Sequence, residues 1–171
     1  MQIDESRQYS AEPAQIFDLL TSEEFQRDKA SAVDAIEFSM DLRTEEGTIT
    51  VLTRRKVATR GLPEFVKALV RPTMRVLETE TWAPAEGSGA RGGTFDIDVD
   101  GAPVRLRGCV SLDAEAGGAR LRFHGDLAAT VPLFKAQIEQ ASSALVIETI
   151  EAELGLVQKW LDDATINVLP N

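Results

Sequence analysis

Glu78 and Glu80 lie two residues apart in a segment of alternating polarity, residues 74–82, and share the phase of Met74, Val76 and Trp82, the side that alternation turns inward. The same alternation, carried on from Phe38 and Met40, brings Thr53 and Arg55 to that side. Arg55, Glu78 and Glu80 are therefore expected to point toward an apolar interior. A buried carboxylate or guanidinium must be paired or hydrogen-bonded, so Arg55 with Glu78 or Glu80 is a candidate network. Beside a bound substrate it would supply a carboxyl acid or base and a cation to stabilise an enolate. The alternative is a bulge or edge position that turns these groups to water.

Three other spacings have chemical precedents that their surroundings contradict. Residues 87–92 read Gly-Ser-Gly-Ala-Arg-Gly, a dinucleotide fingerprint in form, but a strand follows where the pyrophosphate needs a helix N-terminus. Asp96, Asp98, Asp100 and Gly101 match the opening of a calcium loop. Its twelfth position should be a bidentate Glu and is Arg107, while Ile97 and Val99 between the aspartates require burial. His124, the only histidine, is placed opposite Cys109, the only cysteine. Two ligands do not make a zinc site, and an open sheet face does not enclose a substrate for a thiolate–imidazole nucleophile. No metal and no cofactor are expected.

Composition narrows the partners. The 171 residues are 43% apolar and 27% charged, suited to one globular domain over residues 1–171. Acidic residues outnumber basic ones 28 to 18, and no basic run exceeds Arg54-Arg55-Lys56, so the positive footprint of a nucleic-acid binder is missing. The first residues carry no basic n-region or apolar h-region, and no apolar run approaches membrane-spanning length. A cytoplasmic protein without stable membrane insertion is expected, and nothing in the sequence names a protein partner.

The elements that must position these residues follow from periodicity and punctuation. Residues 3–9 form a strand, and Ser10-Ala11-Glu12-Pro13 opens a helix carrying Ile16, Phe17, Leu19 and Leu20. Thr21 or Ser22 caps a second helix anchored by Phe25. A strand from Ile36 turns at residues 44–47; with Arg43 opposite Thr48, Leu42 meets Ile49, Met40 meets Val51 and Glu37 meets Arg54. A short amphipathic helix bearing Leu62, Phe65, Val66 and Leu69 interrupts the sheet and is a candidate lid.

Counting from Gly101-Ala102 pairs Asp98 with Arg105, Asp96 with Arg107 and Ile97 with Leu106. Counting from Ala116-Gly117 pairs Val110 with Phe123 and Arg107 with Asp126, so Arg107 is expected within reach of two aspartates. Gly108 and Gly125 become inner-face neighbours beside Phe95, leaving either ligand room or the slack needed for strand coiling. Finally, Phe134, Ile138, Ala141, Leu145, Thr149, Ala152, Leu156 and Trp160 make a stripe on one long helix, about 131–163. Only the inner face of a sheet is large enough to cover it.

The expected class is α+β: a curved antiparallel sheet of about seven strands around a long C-terminal helix, in the order β-α-α-β-β-(α)-β-β-β-β-α. This order resembles the START-like helix-grip (SRPBCC) superfamily over the whole chain. Within it, the sequence is similar to a family of unknown function made of short, mostly actinobacterial proteins. The residues that carry the likeness are Tyr9 with Ile16-Phe17, Leu62-Pro63, Glu80-Thr81-Trp82, Val131-Pro132-Leu133 with Ile138-Glu139, and Trp160-Leu161.

The resemblance implies a cavity between sheet and helix for a lipid-, sterol- or polyketide-like molecule, and no catalytic residue transfers with it. The expected lining is Phe38, Met40, Thr53, Arg55, Met74, Glu78, Glu80, Trp82, Phe95, Leu106, Phe123 and Leu145. The function expected is binding of an apolar small molecule rather than catalysis. The alternatives are a cyclase- or dehydratase-type enzyme using an inward carboxylate, and a filled structural module without a ligand.

Overall fold

Among the described residues, two capped helices, seven strands and one long helix follow in the order anticipated. The computed structural model describes residues 1–59, 67, 71–131 and 135–168. Strand β1 (Gln2–Tyr9) leads into α1 (Pro13–Leu20), whose proline sits in the first turn while the Glu12 backbone N–H donates to Gln15 at 3.0 Å. Helix α2 (Glu23–Ala32) is capped by Ser22, whose hydroxyl accepts from the Phe25 N–H at 3.2 Å. Gln26 donates to the Leu20 carbonyl at 2.7 Å, fixing α2 against α1.

Strands β2 (Glu37–Glu45), β3 (Thr48–Ala58), β4 (Thr73–Trp82), β5 (Arg91–Asp100), β6 (Val104–Glu115) and β7 (Gly118–Ala129) complete a seven-stranded antiparallel sheet in the order β1-β7-β6-β5-β4-β3-β2. The C-terminal helix α3 (Lys135–Val168) lies in its concavity. The short helix expected around Leu62, Phe65, Val66 and Leu69 falls outside the described residues, as does Phe134.

The β5–β6 and β6–β7 registers are those counted from the turns: Asp96 opposite Arg107, Ile97 opposite Leu106, Val110 opposite Phe123, Cys109 opposite His124. Arg107 Nε pairs with Asp96 at 2.7 Å. Asp126 is its register partner, but no ion pair joins the two among the described residues. Asp96 is instead shared with Arg105 at 3.1 Å.

The β2–β3 register differs by two residues. Arg43 faces Thr50, Leu42 faces Val51, and Glu37 meets Lys56 rather than Arg54. The turn is the tight two-residue kind: Glu46 and Gly47 both have positive φ, 49° and 80°, the right-handed-twist-compatible geometry that glycine favours. A shift of two keeps every side chain on its intended face, so the inward placement of Met40, Thr53 and Arg55 survives.

Helix α3 is turned by about one position from the stripe expected. Ile138 is buried and Leu156 and Trp160 pack on the core as expected, but the buried centre of the later turns is Ile150, Glu153, Leu154 and Val157, while Ala152 is exposed and Leu145 is 48% exposed. Three hydrogen bonds tie the helix to its neighbours in this rotation. Tyr9 donates its hydroxyl to the Leu154 carbonyl at 2.8 Å, the Ala129 N–H donates to Glu139 at 3.0 Å, and Trp160 Nε1 donates to Asp28 at 3.2 Å.

Candidate functional site

Five ionisable side chains meet inside the sheet: Arg55 from β3, Glu78 and Glu80 from β4, Lys29 from α2 and Glu153 from α3, all of them buried. Their meeting follows from local geometry. Antiparallel pairing sets Thr53 opposite Glu78 and Arg55 opposite Val76, so Arg55 reaches Glu78 along the diagonal of the inner face. Lys29 lies one helical turn beyond Phe25, on the buried face of α2. Glu153 shares the inward face of α3 with Ile150, Leu154 and Val157.

Lys29 Nζ is the hub, 2.9 Å from Glu78 Oε1, 2.8 Å from Glu153 Oε2 and 3.9 Å from Glu80 Oε1. Arg55 holds the other oxygen of Glu78. Trp82 Nε1 donates to Glu80 Oε2 at 3.1 Å.

Burial opposes every one of these charges, and the neighbours decide which persist. For Lys29 the summed attraction of Glu153, Glu78 and Glu80 outweighs burial and holds the ammonium above the usual lysine value. Burial is likewise the largest single influence on Glu78, yet Lys29 and Arg55 together carry its carboxyl down to about 2. Glu80 has the weaker share of Lys29, and burial, reinforced by Glu153 and Glu78, pushes it up to about 8. Glu153 is also raised, first by burial and then by Glu78. Two cations face three carboxylates, so one proton makes the set neutral. Burial favours Glu80, the carboxyl with the weakest hold on Lys29, as its carrier.

Next to this cluster is a cavity of about 310 Å³, bounded by the inner faces of β3 to β6 and by the first half of α3. Lys29, Arg55, Glu78 and Glu153 form its polar wall. Arg105, Ser142 and Thr149 also border it, and aliphatic side chains, among them Val76, Ile97, Val99, Val146 and Ile150, form most of the remainder.

Comparison with known proteins fits this geometry. The family model described as "protein of unknown function (DUF2505)" matches residues 4–161. The chain belongs to that family. Uncharacterized protein Rv0481c of Mycobacterium tuberculosis is 28% identical to it over 119 residues, 68% of each chain, and so is Mb0491c of Mycobacterium bovis.

Among solved structures, TTHA0849 from Thermus thermophilus superposes with a TM-score of 0.67 at 17% identity, covering 96% of this chain and 99% of its own. A STAR-related lipid transfer protein from Xanthomonas axonopodis gives 0.62 at 14% identity, covering 94% and 85%. Ara h 8.0201 gives 0.59 at 11%, covering 95% and 98%. The fold of this DUF2505 protein is therefore the START-like helix grip.

Of the residues expected to line the cavity, Arg55, Met74, Glu78, Leu106 and Leu145 border it. Thr53 and Glu80 are buried behind that wall rather than on it. Phe38 and Met40 lie on the edge strand β2, where Phe38 packs beneath the Arg27 guanidinium, 5.4 Å from the ring centre. Trp82, Phe95 and Phe123 belong to the packed end of the grip. Phe17 of α1 meets Trp82 edge-on at 5.6 Å, and Phe95 meets Phe123 at 5.8 Å. Helix α1 plugs that end, which confines open space to the other.

The glycine pair lies in the packed half too. A Cβ on Gly125 would come within 2.9 Å of Phe95 Cζ and 2.5 Å of the Arg107 carbonyl oxygen, and one on Gly108 would strike the His124 carbonyl. Close strand approach and the Phe95 ring account for both glycines, and neither borders the cavity.

Lys29 and Glu153 were the residues that periodicity missed, because each is a charge on a helix whose face was judged by its apolar members. A signal did exist. Lys29 is four residues after Phe25, and Glu153 sits between Ile150 and Val157 on the only rotation of α3 that buries Leu154.

Proposed function

We propose that residues 1–171 act as one START-like domain that binds an apolar small molecule, lipid-, sterol- or polyketide-like, between the sheet and α3. The observation that carries this reading is the cavity itself: about 310 Å³, walled mainly by aliphatic side chains, with Lys29, Arg55, Glu78 and Glu153 gathered in one buried cluster. Small-molecule sites run from roughly 300 to 1,000 Å³ and combine an apolar lining with a few polar groups, and this one lies at the compact end. A filled structural module would have no such space. That one solved protein of the same fold is named as a lipid transfer protein agrees with the reading.

A catalytic reading fits the geometry less well. Of the carboxylates on the wall, Glu78 is held ionised by two cations and Glu153 is paired with Lys29 at 2.8 Å with its other oxygen sealed off, while Glu80 does not border the cavity. A general acid or base must reach the proton it moves.

The test is titration of the purified chain with N-phenylnaphthylamine, a neutral apolar fluorophore, together with mass spectrometry of its organic extract. Saturable binding at one site per chain is expected. No fluorescence enhancement and no extracted small molecule would sink the proposal.

A further inference from the structure

The two edges of the sheet are finished differently. On β1 the inward phase reads Ile3, Glu5, Arg7 and Tyr9, with Arg7 joined to Glu151 of α3 at 3.4 Å and the Tyr9 hydroxyl bound to the Leu154 carbonyl. Inward-pointing charges and a covering helix are ways in which an edge is protected against further pairing. On β2 the same phase reads Phe38, Met40 and Leu42, with no inward charge, and the nine residues of the strand include no proline, glycine or lysine. Leu42 is left 53% exposed.

The β2 edge is also self-complementary. Laid antiparallel to itself about a twofold axis beside Met40, the strand sets Met40 opposite Met40, Phe38 opposite Leu42, Ser39 opposite Asp41 and Glu37 opposite Arg43. Apolar residues then meet on the concave side, and opposite charges meet on the convex side. Neighbouring registers lack this match. Centring on Ser39 opposes Glu37 to Asp41, and centring on Asp41 opposes that residue to itself and Glu37 to Glu45. Centring on Leu42 pairs Asp41 with Arg43 but sets Met40 against Thr44 and leaves Phe38 beyond the paired stretch. A slip of one residue would put the apolar set of one copy against the charged set of the other. Within the chain Asp41 already holds Arg54 at 2.6 Å and Glu37 holds Lys56 through Oε1 at 2.9 Å, while exposed Arg43 forms no ion pair among the described residues.

We propose that the β2 edge docks a second copy of this chain, by antiparallel β2–β2 pairing centred on Met40, with a Glu37–Arg43 ion pair at each end of the paired stretch. A second copy is the occupant because this one strand supplies matching residues on both sides of the twofold axis. The pairing would cover Leu42 with the partner's Phe38. No β2 residue borders the cavity, so the interface is independent of what the cavity holds.

The experiment is sedimentation velocity of the full chain over a concentration series, alongside Arg43→Glu, Glu37→Arg and an equimolar mixture of these two variants. The unaltered chain should pass from monomer to dimer. Each variant alone sets like charges against each other at both ends, and should raise the dimer dissociation constant on the order of tenfold. In the mixture one copy brings two acids and the other two arginines, so both end pairs are restored and a heterodimer should form as tightly as the unaltered dimer. Of these registers, only the one centred on Met40 couples positions 37 and 43.

A chain that stays monomeric throughout would overturn the proposal, and so would a dimer that the single variants do not weaken or that their mixture does not restore. Both positions are exposed. Should either variant nonetheless fail to fold, hydrogen exchange on the unaltered chain decides: the amides of residues 38–42 should exchange more slowly as the dimer forms, and exchange there that is independent of concentration would overturn the β2 interface.

Discussion

Arg107 and Arg55 stand on strands of one sheet, each bound to a carboxylate, yet one faces water and the other is sealed inside. Arg107 pairs with Asp96 on the outer face, where Arg105 joins Asp96 and Asp98 and Arg122 joins Asp4. Exposed pairs of this kind contribute about 0–1 kcal/mol, because water already solvates both partners. Arg55 lies in a closed set with Glu78, Lys29, Glu153 and Glu80. There the desolvation of each ion is large, the intact set comes near to break-even, and removing one partner leaves others buried without a counter-charge. The charged residues on which this fold depends most are those on the inward face, where alternation alone would place an apolar residue.

The sharpest way to break the comparison is to remove the hub. Lys29→Met should cost about 3–5 kcal/mol in urea unfolding at neutral pH, since three carboxylates lose their shared cation. The cost should shrink in acid, where those carboxylates take up protons. A loss under about 1 kcal/mol would place the inner cluster in the same class as the outer ladder.

Acid–base behaviour separates the faces next. The folded state favours protonated Glu80, whose carboxyl rises from 4.5 to about 8. Its contribution to stability is therefore whole below 4.5 and lost as pH rises through about 8. Glu78 runs oppositely: held down to about 2, it contributes above 4.5 and loses that contribution as pH falls through about 2. Urea unfolding across the pH range should show a decline toward the alkaline side of about 1–3 kcal/mol that Glu80→Gln flattens. An unchanged slope in that variant would mean the proton is held elsewhere.

Gly125→Val adds volume to the inner face without touching charge. It should cost about 1–3 kcal/mol through overpacking against Phe95 and the Arg107 backbone, with probe binding retained. Probe binding lost at full stability would mean that the cavity reaches the glycine pair after all. The smallest effect belongs to the outer ladder. Arg107→Ala should change stability by about 0–1 kcal/mol, and less at high salt, so a larger loss in a salt series would erase the contrast between faces.

The outer face was the easier half to read from the sequence. Asp96, Asp98, Arg105 and Arg107 alternate with Ile97, Val99, Val104 and Leu106 around an obvious turn, so one count sets both faces of the β5–β6 hairpin. The β2–β3 pairing was read two residues out because Glu46 adopts positive φ without being glycine, a conformation that its identity does not advertise. On the inner face, Arg55 and Glu78 were legible as members of an alternating series. Lys29 and Glu153 were not, because on a helix a single charge does not interrupt an apolar stripe clearly enough to show which way it faces. The cavity's position was also hidden, since it depends on α1 filling the Trp82 end of the grip, a tertiary contact without local signature.

Filling the cavity tests the central claim most directly. Val76→Phe places a ring among Ile97, Val99 and Val146, in space that the binding reading assigns to ligand. Titrated with N-phenylnaphthylamine beside the unaltered chain, the variant should keep its melting temperature within a few degrees, on the order of a 1 kcal/mol change, and lose saturable binding. Equal probe binding by both proteins at equal stability would show that the probe sits elsewhere and would contradict a ligand site between the sheet and α3.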